Sequence, residues 1–322
     1  MPLTQYQNGI LTPFVVGSSF PTQGKVFFIK PSTGVDGNEG TSPERALKTL
    51  ARALALCTAN QNDTVFLMAE SNSGATTSDL QTATLDWNKN LTHLIGVCAP
   101  TAVSQRARIG NAAASALSPV VTVSAAGCMI SNVQIINEIA DATALLACEV
   151  TGQRNYFKNV HFAGITLSTQ SAAGAASLKV TAGAENVFEN CTIGLDTSSY
   201  DADATGLLFD TAATRNYFKN CLFQGFLTAT GYAHVTVADA TGIDRWQIFE
   251  DCLFVAESVN STITQTEVFK IPAISQGKII LKNSTAFSDG GAVDWDSNDR
   301  GIIWNDRVAA AASAAGGIMT NQ

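Results

Sequence analysis

Five stretches of this chain can be written one beneath another: NYFKNVHF from Asn155, NVFENCTI from Asn186, NYFKNCLF from Asn216, QIFEDCLF from Gln247 and, more loosely, IILKNSTA from Ile279. The Asn or Asp in their fifth place falls at Asn159, Asn190, Asn220, Asp251 and Asn283, in steps of 31, 30, 31 and 32 residues. A degenerate copy, CMISNVQI with Asn132, lies 27 residues earlier, and HLIGVCAP at His93 is a candidate for one earlier still. A period near thirty restricts the chain to architectures in which each unit buries its apolar face against the next.

The repeat also says what each unit is made of. A second apolar run precedes each motif: LLACEV ending at Val150, SLKV at Val180, GLLFD around Phe209, HVTV at Val237 and EVFKI at Ile271. These runs are short, rich in β-branched and aromatic residues, and alternate apolar with polar, which is the pattern of strands. The apolar spacing of three and four that a helical repeat requires is missing. Each period therefore holds three short strands: this first run, the YFK-type run, and the VHF-type run after the Asn. The fold class expected is all-β, a single-stranded parallel β-helix with three strands per coil, in which like positions stack about 4.8 Å apart.

Stacking assigns directions to side chains. The recurrent Asn belongs at the bend between second and third strands, where it tolerates left-handed backbone and its amide can bond to neighbouring coils; Asp251 interrupts that amide pairing. Val160, Cys191, Cys221, Cys252 and Ser284 should point inward, followed by Phe162, Ile193, Phe223 and Phe254. Lys158, Glu189, Lys219, Glu250 and Lys282 must face out, with signs alternating coil by coil. Two places earlier, Tyr156, Val187, Tyr217, Ile248 and Ile280 then form an apolar outer stripe, which calls for a cover.

Residues 42–57, SPERALKTLARALALC, read as an amphipathic helix with Ser42 as N-cap, preceded by the strand KVFFIKPS and the turn GVDGNEG. This order closes the amino-terminal end of the tube with a capping α-helix. It resembles the start of pectate-lyase-like right-handed β-helix proteins, over roughly residues 25–290, including β-helix proteins encoded by bacterial viruses. The expected organisation is an extended arm over 1–24, a strand and helix cap over 25–70, coils over 71–287, and a carboxy-terminal arm or cap over 288–322 carrying Trp295 and Trp304.

Composition narrows the function. The chain is 46% hydrophobic and only 14% charged, with formal net charge −8, which suits neither a nucleic-acid binder nor a protein drawn to an anionic membrane. MPLTQYQNGILTPF has no cationic start before an apolar run, so a cytosolic origin is expected. The seven cysteines (57, 98, 128, 148, 191, 221 and 252) are then reduced fillers.

Catalytic signatures are sparse. The resemblance implies that polygalacturonase-like relatives carry Gly-His-Gly and Arg-x-Lys motifs beside clustered aspartates, and neither motif occurs. His161 and His234 read as outward surface residues and His93 as isolated. Asp196, Asp201 and Asp203 share a polar loop that can supply two carboxylates. DWDSNDRG, with Asp294, Asp296, Asn298 and Asp299, loosely matches a calcium loop but lacks its Gly and Glu. With no catalytic constellation, and with the resemblance to β-helix proteins of bacterial viruses implying a viral role, the expectation is a non-enzymatic virion protein without cofactor or metal, decorating or cementing a phage capsid. It would associate as a homotrimer and with a major capsid protein through Tyr156, Val187, Tyr217, Ile248, Ile280, Trp295 and Trp304. The alternative is a tailspike-like protein that binds or cleaves host surface glycan.

Overall fold

The computed structural model describes residues 24–71, 78–166, 168–170, 172–197, 199–200, 204–258, 263, 265–272, 276–288, 294–296 and 303–305. Residues 1–23, most of the expected arm, and 306–322 therefore lie outside the described residues. The chain is a parallel β-solenoid with three strands per coil. First strands form a seven-stranded sheet, here sheet I; second strands form the ten-stranded sheet II; third strands form the nine-stranded sheet III. All pairings between these strands are parallel, as in Tyr156–Lys158 beside Val187–Glu189. Coil-type pairing continues past 287, because Ile303–Asn305 adds to Lys278–Lys282 in sheet II.

The interior is built from like residues in register. Phe157, Phe188, Phe218 and Phe249, at the centre of the second strands, stack face to face at 4.6, 4.5 and 4.8 Å with interplanar angles of 8° or less. Phe223 and Phe254 make a parallel stack on sheet III at 4.6 Å. Spacing this close to the strand separation is what a stack of identical coils imposes on identical side chains. Val160, Cys191, Cys221, Cys252 and Ser284 all point inward and are buried. None of the seven cysteines is in a disulfide. Burial raises the Cys221 and Cys252 thiols well above their usual range. Each donates to a carbonyl of the preceding coil, as Cys221 Sγ does to Phe188 O at 3.4 Å.

The bends correct one expectation. Asn132, Asn159, Asn190, Asn220, Asp251 and Asn283 do all sit in left-handed backbone, with φ between 48° and 57°. Their amides pair in places, Asn159 with Asn132 and Asn283 with Asp251, each at 2.7 Å. The buried amide ladder, however, belongs to the residue that opens each motif. Asn155, Asn186, Asn216 and Gln247 are all at 0–1% exposure. Asn155 N donates to Asn186 Oδ1, Asn186 N to Asn216 Oδ1 and Asn216 N to Gln247 Oε1, at 2.9 to 3.2 Å. Their side-chain nitrogens donate to Ala125 O, Gly152 O, Gly183 O and Ala213 O. Arg154, Glu185, Arg215 and Arg245, just before these amides, hold a second set of left-handed bends. A polar side chain at the first corner is thus buried and must satisfy backbone groups of two coils, whereas the second corner is open to solvent.

The helix also differs from expectation. Residues 43–45 form one 3-10 turn, and the α-helix, α1, is Leu50–Leu56, capped by Thr49 rather than Ser42. Between them Leu47 is drawn into backbone pairing with Phe28 and Lys30, which breaks the longer helix. Asp36 accepts from Lys48 N, Thr49 N and Thr49 Oγ1 and so fixes the new start. Asp79 Oδ2 takes Leu50 N at one end of α1, while Lys89 Nζ takes Ala55 O and Cys57 O at the other, so both charges complement the helix dipole. Among the described residues no helix is long and apolar enough to cross a membrane.

Candidate functional site

The three histidines are not surface groups. His161 is fully buried because residues 101–105 lie over it: Ser104 N donates to Nδ1 at 3.1 Å, and Thr192 Oγ1 donates to Ala102 O. Acceptance at Nδ1 requires the neutral ring, whose Nε2 donates to Gly194 O at 3.0 Å, and burial lowers its pKa to about 4. His234 is buried at the corner between sheets III and I, beside Tyr232 and Phe254, and burial lowers it to about 3. His93 accepts Met129 N and is likewise lowered to about 4 by burial. The overlying segment and the corner core account for burial that strand alternation alone does not foresee.

The outer stripe on sheet II falls in one register. Tyr156 pairs with Val187, Val187 with Tyr217, Tyr217 with Ile248, Ile248 with Ile280, and Ile280 with Trp304. Trp295 is elsewhere: it packs on Phe254 and Phe269 and closes the carboxy-terminal end of the core. The stripe is less apolar than expected, because Tyr156 and Tyr217 donate their hydroxyls to Glu189 and Glu250 of the following coil. In the alternating charge column beside it, Lys282 reaches Glu250 at 3.1 Å.

The group best suited to chemistry lies on the outer face of sheet I. In-register pairing places Asp86, Thr122, Glu149, Lys179, Leu208, Thr236 and Lys270 in one row along the tube. Lys179 Nζ lies 2.9 Å from Asp210 Oδ2 and 3.7 Å from Glu149 Oε1, so two carboxylates two coils apart share one ammonium. Thr181 Oγ1 donates to Glu149 at 2.6 Å, and Thr211 Oγ1 to Asp210 at 3.0 Å. The hydrogen bond from Lys179 holds the Asp210 carboxyl below its usual range. Beside this trio Leu146, Ala176 and Leu208 form a small buried apolar cluster. It adjoins a cavity of about 540 Å³ floored by Leu208, Thr236 and Val237 and flanked by Glu267, Lys270, Ile271 and Pro272. A second cavity of about 550 Å³ lies between α1 and residues 79–89, where burial raises Asp79 to about 6. Asp79 there is committed to Leu50 N and Gln81 Nε2 and serves the helix cap.

The acidic loop expected from sequence contributes only exposed Asp196, since Asp201 and Asp203 lie outside the described residues. In the loose calcium match, Asp294 pairs through its backbone with Thr266 and Val268, and Asp296 is buried, while Asn298 and Asp299 are outside the described residues. Among the described residues no cluster of three metal-ligating side chains occurs. Glu149 and Lys179 hold the same outward position in successive first strands, but Asp210 stands two residues past that position in the next, so the repeat alone does not assemble the trio.

No family model matches the chain, and no curated protein does. Solved structures do. Pectin methylesterase PemA from Erwinia chrysanthemi superposes with a TM-score of 0.54 at 16% identity, over 94% of each chain. Pectate lyase Pel9A gives 0.56 at 14% identity, over 93% of this chain and 74% of that one. A rhamnogalacturonan lyase gives 0.54 at 15% identity, over 82% and 68%. All three are enzymes by name, which overturns the expectation of a non-enzymatic protein: missing polygalacturonase motifs do not set this fold apart from carbohydrate-active enzymes. At this identity the likeness shows the fold, and the fold is the pectate-lyase-like right-handed parallel β-helix.

Proposed function

We propose that this chain is a carbohydrate-active β-helix that seats a surface glycan lengthwise on the outer face of sheet I and cleaves it, in the manner of a phage tailspike. The observation that carries the reading is the placement of two carboxylates on a single lysine beside an open cavity on one face of the tube. Carbohydrate-active enzymes among the similar folds support it. Glycoside hydrolysis needs one carboxyl to protonate the leaving oxygen and one carboxylate to serve the opposite side of the sugar. Asp210, held ionised by Lys179, suits the second role, and Glu149, farther from the ammonium at 3.7 Å, is the other carboxyl of the pair. Lys179 orients both, and Leu208 with Ile271 and Pro272 gives the adjoining cavity an apolar part of its lining.

A virion tail location and trimeric association belong to the same proposal, with the sheet II stripe through Tyr156, Tyr217 and Ile280 as subunit contact. Sheets I and II are separate faces, so glycan and subunit contacts do not compete. The direct test is reducing-end release from surface polysaccharide by the wild-type protein, Glu149→Gln and Asp210→Asn. Release by wild type and loss in both variants is expected; unchanged release in either would remove that residue from the mechanism.

A further inference from the structure

Resting on that reading of sheet I, we infer that the glycan it takes is uncharged, unlike a polyuronate. A polyanion held along a protein face needs a surplus of cations to offset its own desolvation and repulsion. This face has the opposite balance. Its described cations are Lys179 and Lys270, and Lys179 is already shared by Glu149 and Asp210. Asp86 and Glu267 add further negative charge on the same row and at the cavity wall. A carboxylated chain would meet a net negative surface on a protein of formal charge −8.

What the face does offer is suited to hydroxyl groups. Thr122, Thr181 and Thr236 are half-buried with their side chains on this surface, and the carboxylates are strong acceptors for sugar O–H donors. The apolar part of the cavity lining, Leu208, Ile271 and Pro272, can take the C–H face of a neutral ring without any charge partner. Cation-bridged binding of a polyuronate would need a cluster of acidic ligands, and among the described residues none of three or more occurs.

The test is a glycan array of the full chain carrying neutral, amino-sugar and uronate-containing or sialylated polysaccharides, with titrations at 50 and 500 mM NaCl in EDTA. Binding confined to neutral glycans, with affinity changing less than about twofold across that salt range, is the expected result. Preferential binding of uronate or sialylated glycans, weakening about tenfold or more with salt, would overturn the inference while leaving the carbohydrate reading in place. Binding to no glycan on the array would overturn both.

Discussion

Replacing Asn216 by Ala separates the two corners of the coil. Asn216 Oδ1 accepts both the backbone N–H and the side-chain Nδ2 of Asn186, at 3.0 and 3.1 Å. Its own Nδ2 donates to Gly183 O and to Gln247 Oε1, both at 3.0 Å. The residue is fully buried, so water cannot take over these roles in the intact tube. Each buried group left without a partner costs about 1–3 kcal/mol, and partial relaxation brings the sum to about 3–5 kcal/mol. Asn220, four residues later, is exposed and left-handed at φ 50°, so Asn220→Ala should cost only about 1 kcal/mol, the difference between Asn and Ala in that backbone region. Urea unfolding followed by circular dichroism compares the two, and hydrogen exchange at the Asn186 amide localises the loss. An Asn216→Ala cost no greater than that of Asn220→Ala, with the Asn186 amide still protected, would refute the buried-ladder account.

Two further predictions concern titrating groups. Burial lifts Asp79 from 3.8 to about 6, so its folded state is favoured below pH 3.8 and that contribution is lost as pH rises through 6. Asp79→Asn keeps the acceptor for Leu50 N and should be more stable than wild type at pH 7.5 by up to about 3 kcal/mol, with the gap closing below pH 4; a pH-independent difference in melting would count against it. Among the thiols only Cys98 is half-buried, so a thiol reagent should modify Cys98 first in the native protein. Cys221 and Cys252 should react only after unfolding, and native labelling of either, read by peptide mass, would contradict the inward thiol column.

The architecture was legible because stacking repeats the same environment at every period. Val160, Cys191 and Cys221, with Phe162 and Phe223 two places on, recur at positions that the repeat turns inward, while the Phe157, Phe188 and Phe218 stack is seen only in the structure. The first-corner amides were visible as the opening letters of the motifs, yet Asn at either corner satisfies the same spacing, and only solvent access distinguishes them. His161 and His234 were misread because strand alternation describes a bare sheet, while residues 101–105 and the Tyr200–Tyr232 corner cover it. The helix was read too long because its sequence pattern carries no mark of the backbone pairing that captures Leu47. Function was least legible. Glu149, Lys179 and Asp210 lie about thirty residues apart, and nothing short of the register brings them together.

Whether glycan occupies the sheet I face is the claim on which the functional account depends, and a paired binding measurement reaches it directly. Calorimetric titration of a glycan bound by the wild type would be repeated with Leu208→Arg on sheet I and Tyr217→Ala on sheet II, each checked for native circular dichroism. The account predicts that Leu208→Arg loses binding by at least about tenfold, since it fills the cavity that Leu208 lines, while Tyr217→Ala retains it. Retained binding in folded Leu208→Arg, with loss in Tyr217→Ala, would place the glycan on the other face and contradict the account.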